Sequence, residues 1–296
     1  MKIVDAHFHL WDLETNYYPW LSDGDRPSLV KNYQALRRNY LISDLLSDID
    51  TLDVVGGVHI QAEHDPNDPV RETRWLQSIA DSPGSRGLPH GIVADANFAS
   101  PTIEAVLAGH CEFPNIRGIR HALYRRLDER PPYDPLADPA WTGNFPLLKK
   151  YGLSFDLQLF PSQTDLAVEL IRSNPDIQFI LTHAAMPFWR DPENVARWRA
   201  AIKAYAAFPN VAIKLSGFSG FDADWSVDSV GPILGEVIDA FTPERCMLAS
   251  NFPVEGLVKP YAAIWAVYFD YFRNFSVAEQ EMLFWRNANE IYRLHI

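Results

Sequence analysis

Cysteine is nearly absent from this 296-residue chain: Cys111 and Cys246 are the only two, far apart in sequence. With one bridge at most, there is no disulfide framework, and two isolated thiols read as reduced, buried residues of a cytoplasmic protein. Long hydrophobic runs are missing too. No stretch of about 18 apolar residues occurs, so no transmembrane helix is expected. The opening MKIVDAHFHLW breaks its short apolar stretch with Asp and His, unlike a signal peptide. Positive charge is in deficit: 26 Lys and Arg stand against 38 Asp and Glu, a net charge of −12, which argues against a nucleic-acid surface. No Gly-, Ser- or Pro-rich linker divides the chain. No G-x-G-x-x-G follows an early strand, so the mark of a dinucleotide-binding sheet is missing as well.

What is present is an ordinary globular balance, 47% apolar and 22% charged, enough for one sizeable core without staples. Eight β-like runs can be picked out: Ile3–His9, Val54–Ala62, Leu88–Asp95, Ile116–Ala122, Leu153–Leu159, Gln178–His183, Val211–Ser216 and Cys246–Asn251. Helix-compatible segments lie between them, among them Val70–Asp81, Thr102–Cys111, Leu166–Ser173, Pro192–Phe208, Val227–Phe241 and Lys259–Phe272. Strands alternating with helices indicate a parallel sheet, and eight such units indicate closure. The pattern predicts an α/β fold, a (β/α)8 TIM barrel spanning residues 1–296 as one domain, with an additional C-terminal helix over Val277–Arg293. Ser276, with Glu279 three residues on, forms a capping box that opens this helix.

Polar residues end nearly every run, and a barrel of this kind carries its chemistry at the C-terminal ends of its strands. His7 and His9 are two apart, so on a strand both point to one face, where two imidazoles can grip one metal or one polarised carbonyl. Asp5 shares that parity; it either orients a histidine through its ring N–H or belongs to a buried polar layer. His183 ends the sixth run, QFILTH. His59, Gln61 and Glu63 alternate on the second run and share a face. Arg120 and His121 end the fourth, and an arginine at the mouth suits a carboxylate or a polarised carbonyl. Asp156 and Gln158 share a face of the fifth run, as a catalytic carboxylate or as a hydrogen-bonded network. Lys214 projects with Ser216 in VAIKLSG; unpaired burial is costly, so it meets a carboxylate or the substrate. Asn251 ends the eighth run, CMLASNFP. Two long segments, the aromatic Trp11–Tyr40 and the proline- and arginine-rich Leu123–Pro139, are either substrate walls or rim packing. The aromatic residues Trp265, Tyr268, Phe269, Tyr271, Phe272 and Trp285 belong to the core or to a homo-oligomer interface, and their helical periodicity favours the core.

Taken in order, IVDAHFHLWD, VHIQAE, IRGIRH, ILTHAAMP, IKLSG and ASNFPVEGL resemble the amidohydrolase-related (amidohydrolase 2) family. More narrowly they resemble its branch of sugar-lactone and 2-pyrone-4,6-dicarboxylate lactone hydrolases, and RNANEIYRL is similar to that family's closing helix. The resemblance covers essentially the whole chain. It implies a barrel in which water attacks a lactone carbonyl at the mouth, with His7 and His9 matching the first-strand histidines and His183 the sixth-strand one. The strand-eight position, usually an Asp that acts as base and metal ligand, is Asn251; an amide cannot take a proton and binds metal more weakly. Two-metal sites of the superfamily use a carboxylated lysine or a glutamate on strand four and a histidine on strand five. Here those strands offer Arg120 and His121, then Asp156 and Gln158, and Lys214 is on strand seven, so a two-metal site is not expected. A single zinc on His7, His9 and His183 with one water satisfies zinc chemistry; members of the branch that work without metal keep metal-free catalysis equally open.

The leading functional reading is hydrolysis of an anionic or polyhydroxylated lactone. His7, His9 and Arg120 polarise the carbonyl, His183 or Asp156 activates water, and Asn251 completes the catalytic set. His59, Gln61, His121, Gln158 and Lys214 join Arg120 in contacting the substrate. Asn251 motivates a second reading, lactone isomerisation, in which a substrate hydroxyl attacks its own carbonyl. Decarboxylation, known in a related branch, is a third, and a barrel that binds a small acid without turnover is a fourth. Nothing in the sequence favours a membrane or nucleic-acid role.

Overall fold

The computed structural model describes residues 1–25, 28–124 and 133–296. The heart of the proline- and arginine-rich segment, 125–132, lies outside the described residues. Eight strands are formed: β1 (Ile3–Phe8), β2 (Val54–Ile60), β3 (Gly91–Ala94), β4 (Ile116–Ile119), β5 (Ser154–Leu157), β6 (Phe179–Leu181), β7 (Val211–Leu215) and β8 (Cys246–Leu248). They are parallel and ordered as in the sequence. Just beyond β8 the chain returns to β1: Asn251 N donates to His7 O and Phe252 O accepts from His9 N, both at 2.8 Å. These two bonds close the sheet into the expected barrel.

Helices Pro69–Ala80, Ile103–His110, Thr164–Ser173, Pro192–Ala206, Val227–Phe241 and Tyr261–Phe272 form the outer layer, each within a few residues of its sequence-based span. Shorter helices, Ile42–Ile49, Pro139–Asn144 and Leu147–Tyr151, have no sequence-based counterpart. Of the six aromatic residues expected in the core, Trp265, Tyr268 and Phe272 are buried there, while Phe269, Tyr271 and Trp285 are half-buried. Cys246 is buried but Cys111 is exposed, against the expectation that both are buried. Among the described residues no helix is long and apolar enough to cross a membrane.

Strand alternation sorts the core into two sets. Phe155, Leu157, Phe179, Leu181, Ile213 and Leu215 face the helices. Val4, Ala6, Val58, Ile60, Val93, Ile180, Ala212, Met247 and Ala249 fill the barrel together with Ala288, Tyr292 and Leu294 from the C-terminal run. That run crosses the N-terminal end of the barrel as the helical turns Val277–Glu281, Met282–Arg286 and Asn287–Ile291, the middle one wound as a π-helix. Its capping box is present: Ser276 N donates to Glu279 Oε2 at 2.8 Å, and Ser276 Oγ accepts from Glu279 N. Gly91 opens β3 where the run passes; a Cβ there would meet Leu294 Cδ2 at 2.8 Å. A bare Cα lets the run close the barrel floor.

One irregularity decides what faces the mouth. Between Asp5 and Phe8, β1 advances by three residues while β2 advances by two, from Gly57 to His59. An extra residue in one strand is a β-bulge, and it reverses the parity of the residues after it. Val4 and Ala6 point into the barrel below it; His7 and His9 point inward above it. Asp5 therefore does not share the histidines' face. Its side chain takes the outer face of the strand, accepting from the hydroxyls of Ser250 and of Tyr261 (3.0 Å) and from the backbone N–H of His7 and Ser250. Of the two sequence readings of Asp5, the buried polar layer is the one formed.

Candidate active site

The imidazoles of His7 and His9 meet at the mouth, Nε2 to Nε2 at 3.2 Å. His9 Nδ1 donates to Ile60 O at 2.7 Å, which fixes the hydrogen on that nitrogen and leaves Nε2 as a lone pair turned towards His7. His7 Nδ1 is buried and has no partner among the described residues. His183 stands beside them, its ring centroid 4.8 Å from that of His7. Its Nδ1 pairs with Ser216 Oγ at 3.0 Å. All three rings are uncharged. Burial holds His7 and His9 well below the ordinary histidine range, aided by Lys214 for His7 and by Arg120 for His9. His183 is pushed down to about 3 by burial, then by Arg120 and Lys214.

Two cations supply the charge those rings lack. Arg120 projects inward past the end of β4, its guanidinium donating to Gln158 Oε1 at 3.0 Å and to Gln61 O, while its Nε has no partner among the described residues. Lys214, on β7, is fully buried and donates to Asp156 Oδ2 at 2.6 Å. Burial pushes its amine down to about 8, against the opposing pull of Asp156. Tyr292 rises from the barrel floor and donates its hydroxyl to the same carboxylate at 2.8 and 2.9 Å. Asp156 is thus occupied by an ammonium and a phenol inside the barrel. The sequence allows it to be a base or a network member, and the structure builds the network.

The segment that presents His183 is conformationally unusual. His183, Ala184, Ala185 and Met186 all have left-handed φ, between +51° and +58°. L-residues lose roughly 1–2 kcal/mol each in a left-handed helix, so such a run persists only where its surroundings impose it. Beside it, Gly217 has φ +71°, and a Cβ on it would lie 2.3 Å from His183 Nδ1. The bare Cα of Gly217 is what lets the imidazole sit where it does.

Asn251, also left-handed at φ +56°, is buried beside Glu255, whose backbone N donates to Asn251 O at 3.1 Å. The Glu255 carboxylate is buried and accepts from Ser219 Oγ at 2.7 Å and from Trp225 Nε1 at 2.9 Å. Burial raises its pKa, and these donors oppose the rise. The carboxylate missing from the strand-eight position therefore lies four residues on, behind the amide. Nothing in the local pattern marks Glu255 as polar core, because it follows a turn rather than a strand.

His59 departs from expectation. Val58 and Ile60 fill the barrel, so His59 points outward, where Nε2 meets Leu10 O at 3.3 Å and the ring packs edge-on against Phe8. Gln61 spends its amide on the backbone, accepting from Glu63 N and donating to Arg120 O. His121 pairs with Asp95 at 3.2 Å and lies near Trp141 of the outer core, on the far side of β4 from Arg120. The structure thus brings together His7, His9, His183, Arg120, Gln158, Lys214, Asp156 and Asn251, and sets His59 and His121 apart.

Glu72 is equally hidden in the sequence, since on a helix it reads as a solvated face. It is buried and accepts from Ala62 N at 3.0 Å, anchoring the chain just past β2. Burial pushes its pKa from 4.5 up to about 8, with a smaller push from Asp95. The folded state then holds this proton more tightly than the unfolded chain, so stability falls as pH rises from 4.5 to about 8. Glu72→Gln keeps the acceptor for Ala62 and cannot ionise. Its Tm is expected to climb steadily relative to wild type across that window; a constant offset in thermal melts would show that Glu72 is ionised throughout.

The separation of the His7 and His9 nitrogens is about what two nitrogens take on one tetrahedral zinc at 2.0–2.1 Å each, and a backbone carbonyl fixing the other nitrogen of His9 is typical of a ligating histidine. Among the described residues, however, no group of three or more His, Cys, Asp or Glu gathers as a metal cage. The pair fits one edge of a metal site, and His183 does not complete it.

The Amidohydrolase family model matches residues 4–294. The chain belongs to the amidohydrolase family. It is 43% identical to the uncharacterized protein y4mH of Sinorhizobium fredii, over 99% of both chains. It is 26% identical to an L-fucono-1,5-lactonase of Burkholderia multivorans, over 98% of this chain and 96% of that one. Among solved structures, an amidohydrolase of Burkholderia multivorans with bound zinc superposes with a TM-score of 0.81 over 99% of both chains, at 24% identity.

Proposed function

We propose that this amidohydrolase hydrolyses a small anionic or polyhydroxylated lactone at the mouth of its barrel. The observation that carries the reading is the meeting of three uncharged imidazoles, His7, His9 and His183, with the buried cations Arg120 and Lys214. An uncharged imidazole can accept a proton, and fixed positive charge in a dry site stabilises the oxyanion that forms when a carbonyl is attacked. The kinship with an L-fucono-1,5-lactonase supports the reaction class.

In this scheme Arg120 donates to the ring carbonyl beside the His7–His9 pair. His183 takes a proton from water as the water oxygen bonds to the carbonyl carbon. The ring C–O bond then breaks, and the departing ring oxygen takes the proton from His183, giving the open hydroxy acid. Asn251 and Gln158 orient substrate hydroxyl or carboxylate groups. A divalent ion held on the His7–His9 edge would add Lewis-acid polarisation of the same carbonyl.

Purified protein is expected to open at least one sugar-acid or pyrone-type lactone, monitored by proton release with and without added zinc. A ring-shifted lactone with no water uptake would mark isomerisation, and carbon dioxide would mark decarboxylation. Failure on the whole panel under both conditions would sink the reading.

A further inference from the structure

The left-handed run His183–Met186 contains no glycine, so its own residues do not favour it; something outside it must. Its internal bonds, Ala185 N to Thr182 O at 3.0 Å and Met186 N to His183 O at 2.8 Å, only tighten the turn. Its backbone is tied to helix Pro192–Ala206, where the indole Nε1 of buried Trp198 donates to Ala184 O at 2.8 Å. On the other side, the Cα of Gly217 lies against the His183 imidazole, and Ser216 Oγ holds its Nδ1. Met186 and Trp198 also line a cavity of about 200 Å3, so the turn has room to relax if its anchor is lost.

We propose that Trp198 is a positioning residue: its indole N–H, acting with Gly217, imposes the left-handed turn that aims the His183 ring at His7. The catalytic part of this inference rests on the hydrolase reading; the positional part does not. Trp198→Phe keeps an aromatic ring and removes the donor. It is expected to lower kcat by ~10²-fold, the cost of misplacing a catalytic group by about 1 Å, with KM changed less than about twofold. Rescue separates positioning from packing. Ala184→Gly in the Trp198→Phe background restores a residue that accepts left-handed φ without an anchor, and should recover most of the lost kcat.

A readout independent of turnover is the 15N imidazole spectrum, with the His183 signals assigned by their loss in His183→Asn. Trp198→Phe should shift the Nδ1 signal away from its Ser216-bonded position, and added Ala184→Gly should return it. Gly217→Ala, which drives a methyl into the same ring without touching the Trp198 pocket, should shift it likewise and serves if Trp198→Phe does not fold. An unchanged His183 signal in Trp198→Phe, or in Gly217→Ala if that variant must stand in, overturns the proposal, as does a loss that Ala184→Gly fails to repair. If the wild-type protein opens no lactone, the hydrolase reading falls and the spectra alone decide the positioning role.

Discussion

His183→Asn is expected to lower lactone turnover by ~10²–10⁴-fold, the range that a positioned acid–base group contributes, while leaving the melting curve close to that of wild type. The amide replaces the ring at similar reach and is a hydrogen-bonding group where Ser216 needs one, so the local network survives. It cannot take a proton from water. The measurement is kcat by proton release beside a thermal melt of the same preparation. Near-normal turnover would remove His183 from the mechanism and move the proton transfer to His7 or His9.

The second large effect is on stability. Lys214→Met leaves Asp156 inside the barrel with the Tyr292 hydroxyl but no countercharge. Removing one partner of a buried pair costs about 3–5 kcal/mol, which for a chain of this size is a Tm lowered by ~10 °C. Asp156→Asn together with Lys214→Met removes both charges, and should recover much of the loss, because an uncharged buried pair carries no unpaired ion. A double variant as unstable as the single one would place the cost in packing. Turnover should be low in both, since each lacks the cation beneath the histidines.

The barrel is legible because its strands alternate: Phe155 and Leu157 face out, Asp156 and Gln158 face in, and the same rule places Lys214 and Ser216 together. Spacing alone finds His7 and His9, and they do share the mouth, but the bulge that puts them there leaves no trace in the sequence. It is also why simple alternation assigns Asp5 to their face. His59 is misplaced for a related reason: β2 also shifts register against β1, between Val54 and Gly56, and Val58 and Ile60 on either side of His59 fill the barrel. What alternation cannot reach are residues brought in from outside the strands. Glu255 follows a turn, Tyr292 comes from the floor and Trp198 from a helix, and their partners are set by closure of the whole barrel. Four left-handed residues in a row, none of them glycine, contradict local preference outright; only the packed neighbours explain them.

Tyr292 carries a consequence for biosynthesis. The residues of the buried centre leave the ribosome in the order His7, Arg120, Asp156, His183, Lys214 and then Tyr292, so a growing chain holds Asp156 and both cations before the phenol that donates to that carboxylate. Until that phenol and its neighbours cross the floor, the barrel interior is open to water from below. A nascent chain is therefore expected to show no turnover until the helical turns over 277–291 and Tyr292 have emerged and docked, which lactone-opening assays on stalled chains of increasing length would check.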